Sequence, residues 1–335
     1  MNFIIHHPGK AGEVFMGLPA AQLLKKHFPD CHITWVVLDI FRDSLGVNPY
    51  IDLIEEIPTY SCKNMMDVNE HMSNHREYVF QKKRSVIDHR GIHLDLYYGY
   101  ILEPYAKYKL KLNRLPFYLQ MFKNAVAMSA GLDVDLVNSW SPPEWHPTEQ
   151  AVQDAIRFEQ QYGGGSVIIF SPYIADKTAA QDNKSDFQID LIYEELKRWS
   201  LPVIATGTQW DEKSNPSWVI DGYAPTLSLG ALFYLMKEKA ALVVTPNSGI
   251  GFAAHWLGAP TLMIDNRTGW KKQVREYKRF YPVLTDKALP HERRWPMFMK
   301  ENFPKQHLGS LPFEQIEWSE GEFLTAMNKI KSSMN

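Results

Sequence analysis

The stretch Val243-Val244-Thr245-Pro246-Asn247-Ser248-Gly249-Ile250-Gly251-Phe252 decides the fold class of this chain. An apolar, β-branched run ends in small polar residues, and a helical pattern follows directly, over 250–257. Free N–H groups at such a helix start, together with the positive end of the helix dipole, suit a diphosphate. From spacing alone, an ordinary turn capped by Asn247 or Ser248 explains these residues equally well. The glycines do not follow Gly-x-Gly-x-x-Gly, so the usual fingerprint of NAD-binding proteins does not apply.

Strands and helices alternate on both sides of this stretch. In the C-terminal half, the apolar runs predict strands at 167–170, 203–206, 241–244 and 261–264, and helices at 189–199, 229–239, 250–257 and 320–331. In the N-terminal half they predict strands at 3–6, 33–38, 51–57 and 86–88, with a helical pattern over 18–28. Such alternation is typical of doubly wound, parallel sheets, so the expected fold class is α/β with Rossmann-like units.

The length of the chain, 335 residues, indicates two domains, because single hydrophobic cores usually stop growing well below that size. The segment 140–147 carries three prolines, and Gly163-Gly164-Gly165 lies just before a clear strand. Both features are typical of a connection between domains, and they predict a boundary near residue 160. The expected domains are therefore 1–160 and 161–315, followed by a C-terminal helix within 316–335.

Composition narrows the classes of protein. A hydrophobic content of 45% and a charged content of 22% are those of an ordinary globular protein. The net charge of -2 gives no overall field that attracts nucleic acid. Cys31 and Cys62 lack the spacing of a zinc site or a disulfide framework, and no apolar run reaches the length of about 18 residues that spans a membrane. We therefore expect a cytoplasmic protein with at most peripheral membrane contact.

The histidines raise the question of a metal site. His71 with His75 and His89 with His93 have the i, i+4 spacing of neighbours on a helix, and His6-His7 ends the first predicted strand. Neither spaced pair forms His-Glu-x-x-His, and an aromatic-rich amphipathic segment explains them at least as well. No metal is therefore predicted.

Two separated parts of the sequence carry a family resemblance. Residues 12–20, which continue to 28–35, read Gly-Glu, then Leu-Pro-Ala, then Phe-Pro-Asp-Cys-His-Ile-Thr-Trp. Residues 226–232 precede the predicted strand at 241–244, and residues 245–250 follow it directly. Together they resemble glycosyltransferase family nine, the bacterial ADP-heptose:lipopolysaccharide heptosyltransferases, with its N-terminal Gly-Asp and Leu-Pro-Ala signature and its later Asp-Thr-Gly-Leu-x-His motif.

The resemblance covers roughly residues 3–57 and 165–265. It implies a GT-B fold, in which two Rossmann-like domains face each other across a cleft, the N-terminal one for the acceptor and the C-terminal one for the donor. It implies an inverting, metal-independent transfer of a sugar from a nucleotide diphosphate to a saccharide or lipopolysaccharide core. ADP-heptose is the first expected donor, and no cofactor is expected beyond this co-substrate.

This sequence departs from the family pattern at Glu13, Asn247 and Phe252, where the family has Asp, Asp and His. The first replacement is conservative. The other two allow a different nucleotide sugar, so two alternatives remain open. One is a GT-B nucleotide-sugar epimerase or hydrolase, and the other is a nucleotide-binding scaffold protein that has lost catalysis.

Glu13 is the predicted catalytic base, because inverting transfer needs a carboxylate that takes the proton from the acceptor hydroxyl. The dipole of the helix that follows the glycine loop favours its ionised form, although acidic residues are common in first helical turns for structural reasons alone. Lys184 matches the lysine of the family's Asp-Lys-x-Trp sequence and is predicted to offset the charge of the leaving diphosphate. A solvated loop lysine is the alternative.

The remaining predicted site residues belong to donor binding. Most of them follow strands of the C-terminal half, at the edge where open α/β sheets bind ligands. Gln209 or Asp211 is expected to contact the ribose, and Ser171 and Thr178 are expected to supply hydroxyl groups. The full set is Gly12, Ser171, Thr178, Gln209, Asp211, Asn247, Ser248, Gly249 and Ile250.

Overall fold

The computed structural model describes residues 1–7, 11–63, 67–68, 87–88, 90–95, 144–172, 189–208, 215–246, 249–265 and 313–334. These residues divide into two compact units, and along the described chain the division falls between His146 and Pro147. Each unit contains its own sheet.

The first unit is built on a five-stranded sheet with the order β3-β2-β1-β5-β4. The strands are β1 (Asn2–His6), β2 (His32–Leu38), β3 (Leu53–Ile57), β4 (Ile87–Asp88) and β5 (Gly91–Asp95). All neighbouring strands pair in parallel except β4 and β5, which are antiparallel. Helices α1 (Ala11–Gly17) and α2 (Pro19–His27) follow β1, and a 3-10 helix at Asp39–Ser44 follows β2.

The central strands of this sheet have apolar side chains on both faces. Phe3 and Trp35 on one face, and Ile4 and Val36 on the other, are all buried. Parallel strands that are covered on both sides have continuous apolar sequences, which is why β1 and β2 are recognisable in the sequence. The helical pattern predicted at 18–28 forms α2, which starts with Pro19, a residue that has no N–H to leave unpaired at a helix start.

The second unit is built on a six-stranded sheet with the order β11-β10-β9-β6-β7-β8, in which every neighbouring pair is parallel. The strands are β6 (Val167–Phe170), β7 (Val203–Ala205), β8 (Ile220–Asp221), β9 (Ala240–Pro246), β10 (Thr261–Asp265) and β11 (Phe313–Glu317). The helices are α3 (Glu149–Glu159), α4 (Ile189–Lys197), α5 (Leu229–Glu238), α6 (Gly249–Trp256) and α7 (Glu320–Met334). This is the strand order of doubly wound dinucleotide-binding folds, and the predicted α/β class is confirmed.

The division of the chain differs from the expected boundary near residue 160. Helix α3 packs along α5, so residues 147–160 group with the second unit. Its start is fixed by Thr148, whose hydroxyl oxygen accepts a hydrogen bond from the N–H of Ala151 at 3.1 Å. The C-terminal helix α7 is also part of this unit, because Phe323 and Ile330 are fully buried in the same apolar core as β6 and β10.

Candidate functional site

The winding of the second sheet reverses between β6 and β9, the neighbouring strands from which the chain proceeds in opposite directions. Open α/β sheets bind ligands at such a point, beyond the carboxyl ends of the strands. Ser171 directly follows β6, is almost completely buried, and donates its N–H to the carbonyl oxygen of Val244 in β9 at 2.9 Å. On the other side, the N–H of Thr206 donates to the carbonyl oxygen of Phe170 at 2.8 Å. These hydrogen bonds hold Ser171, which follows β6, against β9, and Thr206, which follows β7, against β6.

Helix α6 begins at this same edge, at Gly249, shortly after β9 ends at Pro246. A Cβ atom placed on Gly251 would lie 2.8 Å from Cγ2 of Thr245 and 3.0 Å from Cε of Met263. The bare glycine therefore allows the first turn of α6 to pack directly on β9 and β10. This packing brings the free N–H groups and the positive dipole end of α6 to the carboxyl edge of the sheet.

We expect Gly251→Val to lower the free energy of unfolding of the second unit by about 1–3 kcal/mol, because the added carbons overpack a site without space. Alanine is a weaker test, since its gain in helix propensity partly offsets the clash. Urea unfolding followed by circular dichroism measures the effect. The matched control is Gly321→Ala in α7, where a Cβ would meet nothing within 4 Å. The control should be as stable as the wild type or more stable by about 0.5–1 kcal/mol. Unchanged stability of Gly251→Val would contradict the close packing of α6.

His255 lies in the last turn of α6 and is 7% exposed. Burial lowers the pKa of His255 to about 4, so its imidazole is neutral at pH 7. At a rise of about 1.5 Å per residue, it is about 9 Å along the helix from Gly249. His255 therefore does not take the place of the family's histidine, whose position Phe252 occupies.

In the first unit, β1 is the strand at which the winding reverses, since its neighbours are β2 and β5. Helix α1 follows β1, and the backbone of Gly12 and Glu13 forms its first turn. Gly12 is buried. The backbone position predicted for Glu13, in the first helical turn after the first strand, is thus the position that it has in the structure. Its catalytic role stays a prediction.

The last residues of β1 are fixed by contacts on both faces of the sheet. Nε2 of His6 and Nδ1 of His93, in β5, are hydrogen-bonded at 2.9 Å, and the two rings are inclined by only 12°. His7 is 1% exposed and stacks on Trp35, with ring centroids 6.1 Å apart. A Cβ on Gly17 would lie 2.7 Å from Cδ2 of His7, so only a glycine lets α1 approach this ring so closely. The sequence pattern indicated neither of these contacts.

The predicted site residues differ in where they lie and in how much of each the structure describes. Ser171, Gly249 and Ile250 lie at the carboxyl edge of the second sheet, whereas Gly12 belongs to the first unit. Others lie outside the described residues, and their roles stay predictions: Thr178, Lys184, Gln209, Asp211, Asn247 and Ser248. The structure describes only the backbone of Glu13 and Phe252.

Two buried threonines outside the predicted set also lie at this edge. Thr206 and Thr245 are at the carboxyl ends of β7 and β9, and they add hydroxyl groups to the edge that holds Ser171.

Within the described ranges, no three His, Cys, Asp or Glu side chains are grouped so that they could hold a metal ion. The expectation that no metal takes part stays a prediction.

No protein-family model matches the chain, and no curated protein sequence is similar to it. A solved structure of a glycosyl transferase family 9 protein from Veillonella parvula is similar, with a TM-score of 0.54 over 92% of this chain and 96% of that one, at 15% identity. The chain has the fold of that protein. The GT-B fold predicted from the two sequence motifs is thereby confirmed.

Two heptosyltransferase structures are also similar. E. coli ADP-heptose lps heptosyltransferase II has a TM-score of 0.49 at 14% identity, over 79% of this chain and 85% of that one. E. coli heptosyltransferase WaaC with ADP-2-deoxy-2-fluoro heptose has a TM-score of 0.45 at 12% identity, over 79% of this chain and 88% of that one.

Proposed function

We propose that this protein is a glycosyltransferase that moves a sugar from a nucleotide diphosphate to a saccharide acceptor, by an inverting reaction without a metal. One observation carries the proposal: the start of α6 and Ser171 both lie at the carboxyl edge of a dinucleotide-type sheet, where its winding reverses. The family motifs at 12–20 and 245–250 support it further. Because those motifs resemble enzymes that use ADP-heptose, a heptose is the first sugar to test.

The donor diphosphate is proposed to lie at the start of α6. The free N–H groups of the first turn point along the helix axis toward the carboxyl edge of the sheet, and the dipole adds partial positive charge there. Ser171 is buried at the same edge and carries a hydroxyl group. Ser248 and Lys184 are proposed to add a further hydroxyl and a cation. As the glycosidic bond breaks, these groups offset the negative charge that develops on the leaving diphosphate.

Glu13 is proposed to act on the acceptor. Its carboxylate takes the proton from the acceptor hydroxyl as the oxygen attacks the anomeric carbon from the side opposite the diphosphate. The bond from the anomeric carbon to the diphosphate oxygen breaks, the electron pair leaves with the nucleotide diphosphate, and the configuration inverts. The first turn of α1 suits this task, because the helix dipole favours the ionised carboxylate.

The proposed acceptor is a saccharide or lipid-linked saccharide such as a lipopolysaccharide core, reached from the cytoplasm at the inner face of the inner membrane. This part of the proposal rests on the family resemblance. Among the helices that the structure describes, none has the length and apolar character needed to cross a membrane.

A coupled assay tests the reaction. The protein is incubated with ADP-heptose or another nucleotide sugar, with and without a saccharide acceptor, and mass spectrometry follows nucleotide diphosphate, free sugar and glycosylated product. We expect nucleotide diphosphate and glycosylated product to appear in equal amounts, and only when the acceptor is present. An epimer or free sugar without coupled product would replace the transferase with an epimerase or hydrolase. The replacements at Asn247 and Phe252 make these alternatives worth testing. Binding without any conversion would favour a scaffold protein.

A further inference from the structure

The hydrogen bond between His6 and His93 joins two neighbouring strands at the end that bears the proposed acceptor chemistry. In the parallel register of β1 and β5, Ile4 is opposite His93 and His6 is opposite Asp95. Side chains alternate along a strand, so the His6 and His93 side chains lie on one face of the sheet, diagonally across the pair. One ring nitrogen donates and the other accepts, in the order that the tautomers of the two rings set. The pair is a side-chain link between β1 and β5.

This link lies at the carboxyl end of β1. His6 opposite Asp95 is the last paired position between β1 and β5 within the described residues, and β1 ends at His6. On the opposite face, His7 is held by Trp35 and by the close approach of Gly17 in α1. His6, which ends β1, and His7, which follows it, are therefore fixed on opposite faces of the sheet, shortly before the chain enters α1, the helix that carries Glu13.

From this arrangement we propose that His6 and His93 are positioning residues for sugar transfer. Their hydrogen bond holds the carboxyl end of β1 against β5 and thereby sets where α1, and with it Glu13, begins. This inference rests on the proposed function, in which Glu13 takes the proton from the acceptor. Neither histidine needs to contact a substrate, because a shift of about 1 Å in a reacting group can cost about 100-fold in rate.

Three variants separate positioning from packing. His93→Leu removes the ring nitrogen that is hydrogen-bonded to His6 and puts an apolar side chain of similar size in its place. His93→Asn places an amide atom where Nδ1 of the ring lies, so the hydrogen bond to Nε2 of His6 is kept. His32→Leu is the matched control, since His32 is a strand histidine of the same unit at the opposite, amino end of β2, with a side chain that is 50% exposed.

Two measurements are made on each full-length variant. The first is a kinetic series that separates kcat from the dissociation constant of the nucleotide sugar. For His93→Leu we expect kcat to fall by about 10- to 100-fold while the donor dissociation constant stays within about twofold, because the donor is bound by the second unit. His93→Asn should recover most of kcat, and His32→Leu should match the wild type.

The second measurement is amide hydrogen exchange of peptides that cover β1 and α1, in the protein without substrate. We expect faster exchange in His93→Leu, and wild-type exchange in His93→Asn and His32→Leu. If His93→Leu does not fold, His93→Ser replaces it, since its hydroxyl is too short to reach His6.

Equal loss in the Leu and Asn variants, or unchanged kcat and exchange in His93→Leu, would overturn the positioning role. A wild-type protein that transfers no sugar would instead overturn the proposed function, and the exchange measurement would still decide whether the pair fixes α1.

Discussion

Glu13→Gln is expected to lower kcat for sugar transfer by about 10²- to 10⁴-fold, the usual contribution of a general base. Glutamine keeps the size and hydrogen-bonding reach of glutamate but does not take up the proton of the acceptor hydroxyl. Binding of the nucleotide sugar should stay within about twofold, because the donor site is proposed to lie in the second unit. Steady-state kinetics and calorimetric titration of the donor measure the two quantities separately.

The matched control is Glu56→Gln, in β3 of the same unit. Its carboxylate is half exposed and lies 3.5 Å from Nε of Arg42, an exposed ion pair whose loss should cost little. The control should transfer sugar at the wild-type rate. If Glu13→Gln does so too, the base is another residue. If Glu13→Gln loses donor binding as well as turnover, Glu13 affects the fold rather than the proton transfer.

Lowering the pH from 7 to 4 is expected to remove about 3 kcal/mol of stability from the second unit through His255 alone. Burial holds the pKa of this imidazole at about 4, against 6.5 for an ordinary histidine. Between these two values the unfolded chain binds a proton at His255 that the folded chain does not bind. The contribution is therefore complete above about pH 6.5 and is lost progressively as the pH falls toward 4.

The comparison of wild type with His255→Leu isolates this effect, because leucine does not titrate. Urea unfolding is measured for both proteins at several pH values from 7 to 4, and the difference between their free energies of unfolding is plotted against pH. The wild type should lose stability relative to the variant over this range. Parallel curves would mean that folding does not lower the pKa of His255.

In the second sheet the sequence predicts the central strands and misses both edge strands, whereas in the first sheet it predicts the edge strands β3 and β4 and misses β5. β6 and β9 are buried on both faces, so their sequences are continuous apolar runs that stand out from the flanking residues. β8 and β11 lie at the two edges of the same sheet, and neither was predicted. β11 reads Phe-Glu-Gln-Ile-Glu, with only two apolar residues, and β8 is only two residues long. These two edge strands therefore lack the continuous apolar run that identifies a buried strand.

Local signals also explain which parts of the site could be anticipated. A glycine loop followed by a helix predicts the position of Glu13, and small residues after a strand predict the start of α6, because both depend on neighbouring residues only. The link between His6 and His93 depends on β5 lying beside β1, and β5 was not predicted. Strand order is a property of the whole sheet, which the sequence pattern does not specify.

Binding of a nucleotide diphosphate sugar by the folded protein is tested most directly by thermal unfolding in the presence of nucleotide sugars. A ligand that binds only the folded state adds about 2.7 kcal/mol of stability at a hundredfold excess over its dissociation constant. We predict that ADP-heptose, or another nucleotide diphosphate sugar in the same screen, raises Tm by several degrees, and that the corresponding nucleoside does not. If no nucleotide diphosphate or nucleotide sugar raises Tm, the start of α6 does not hold a donor diphosphate, and the proposed glycosyltransferase function is wrong.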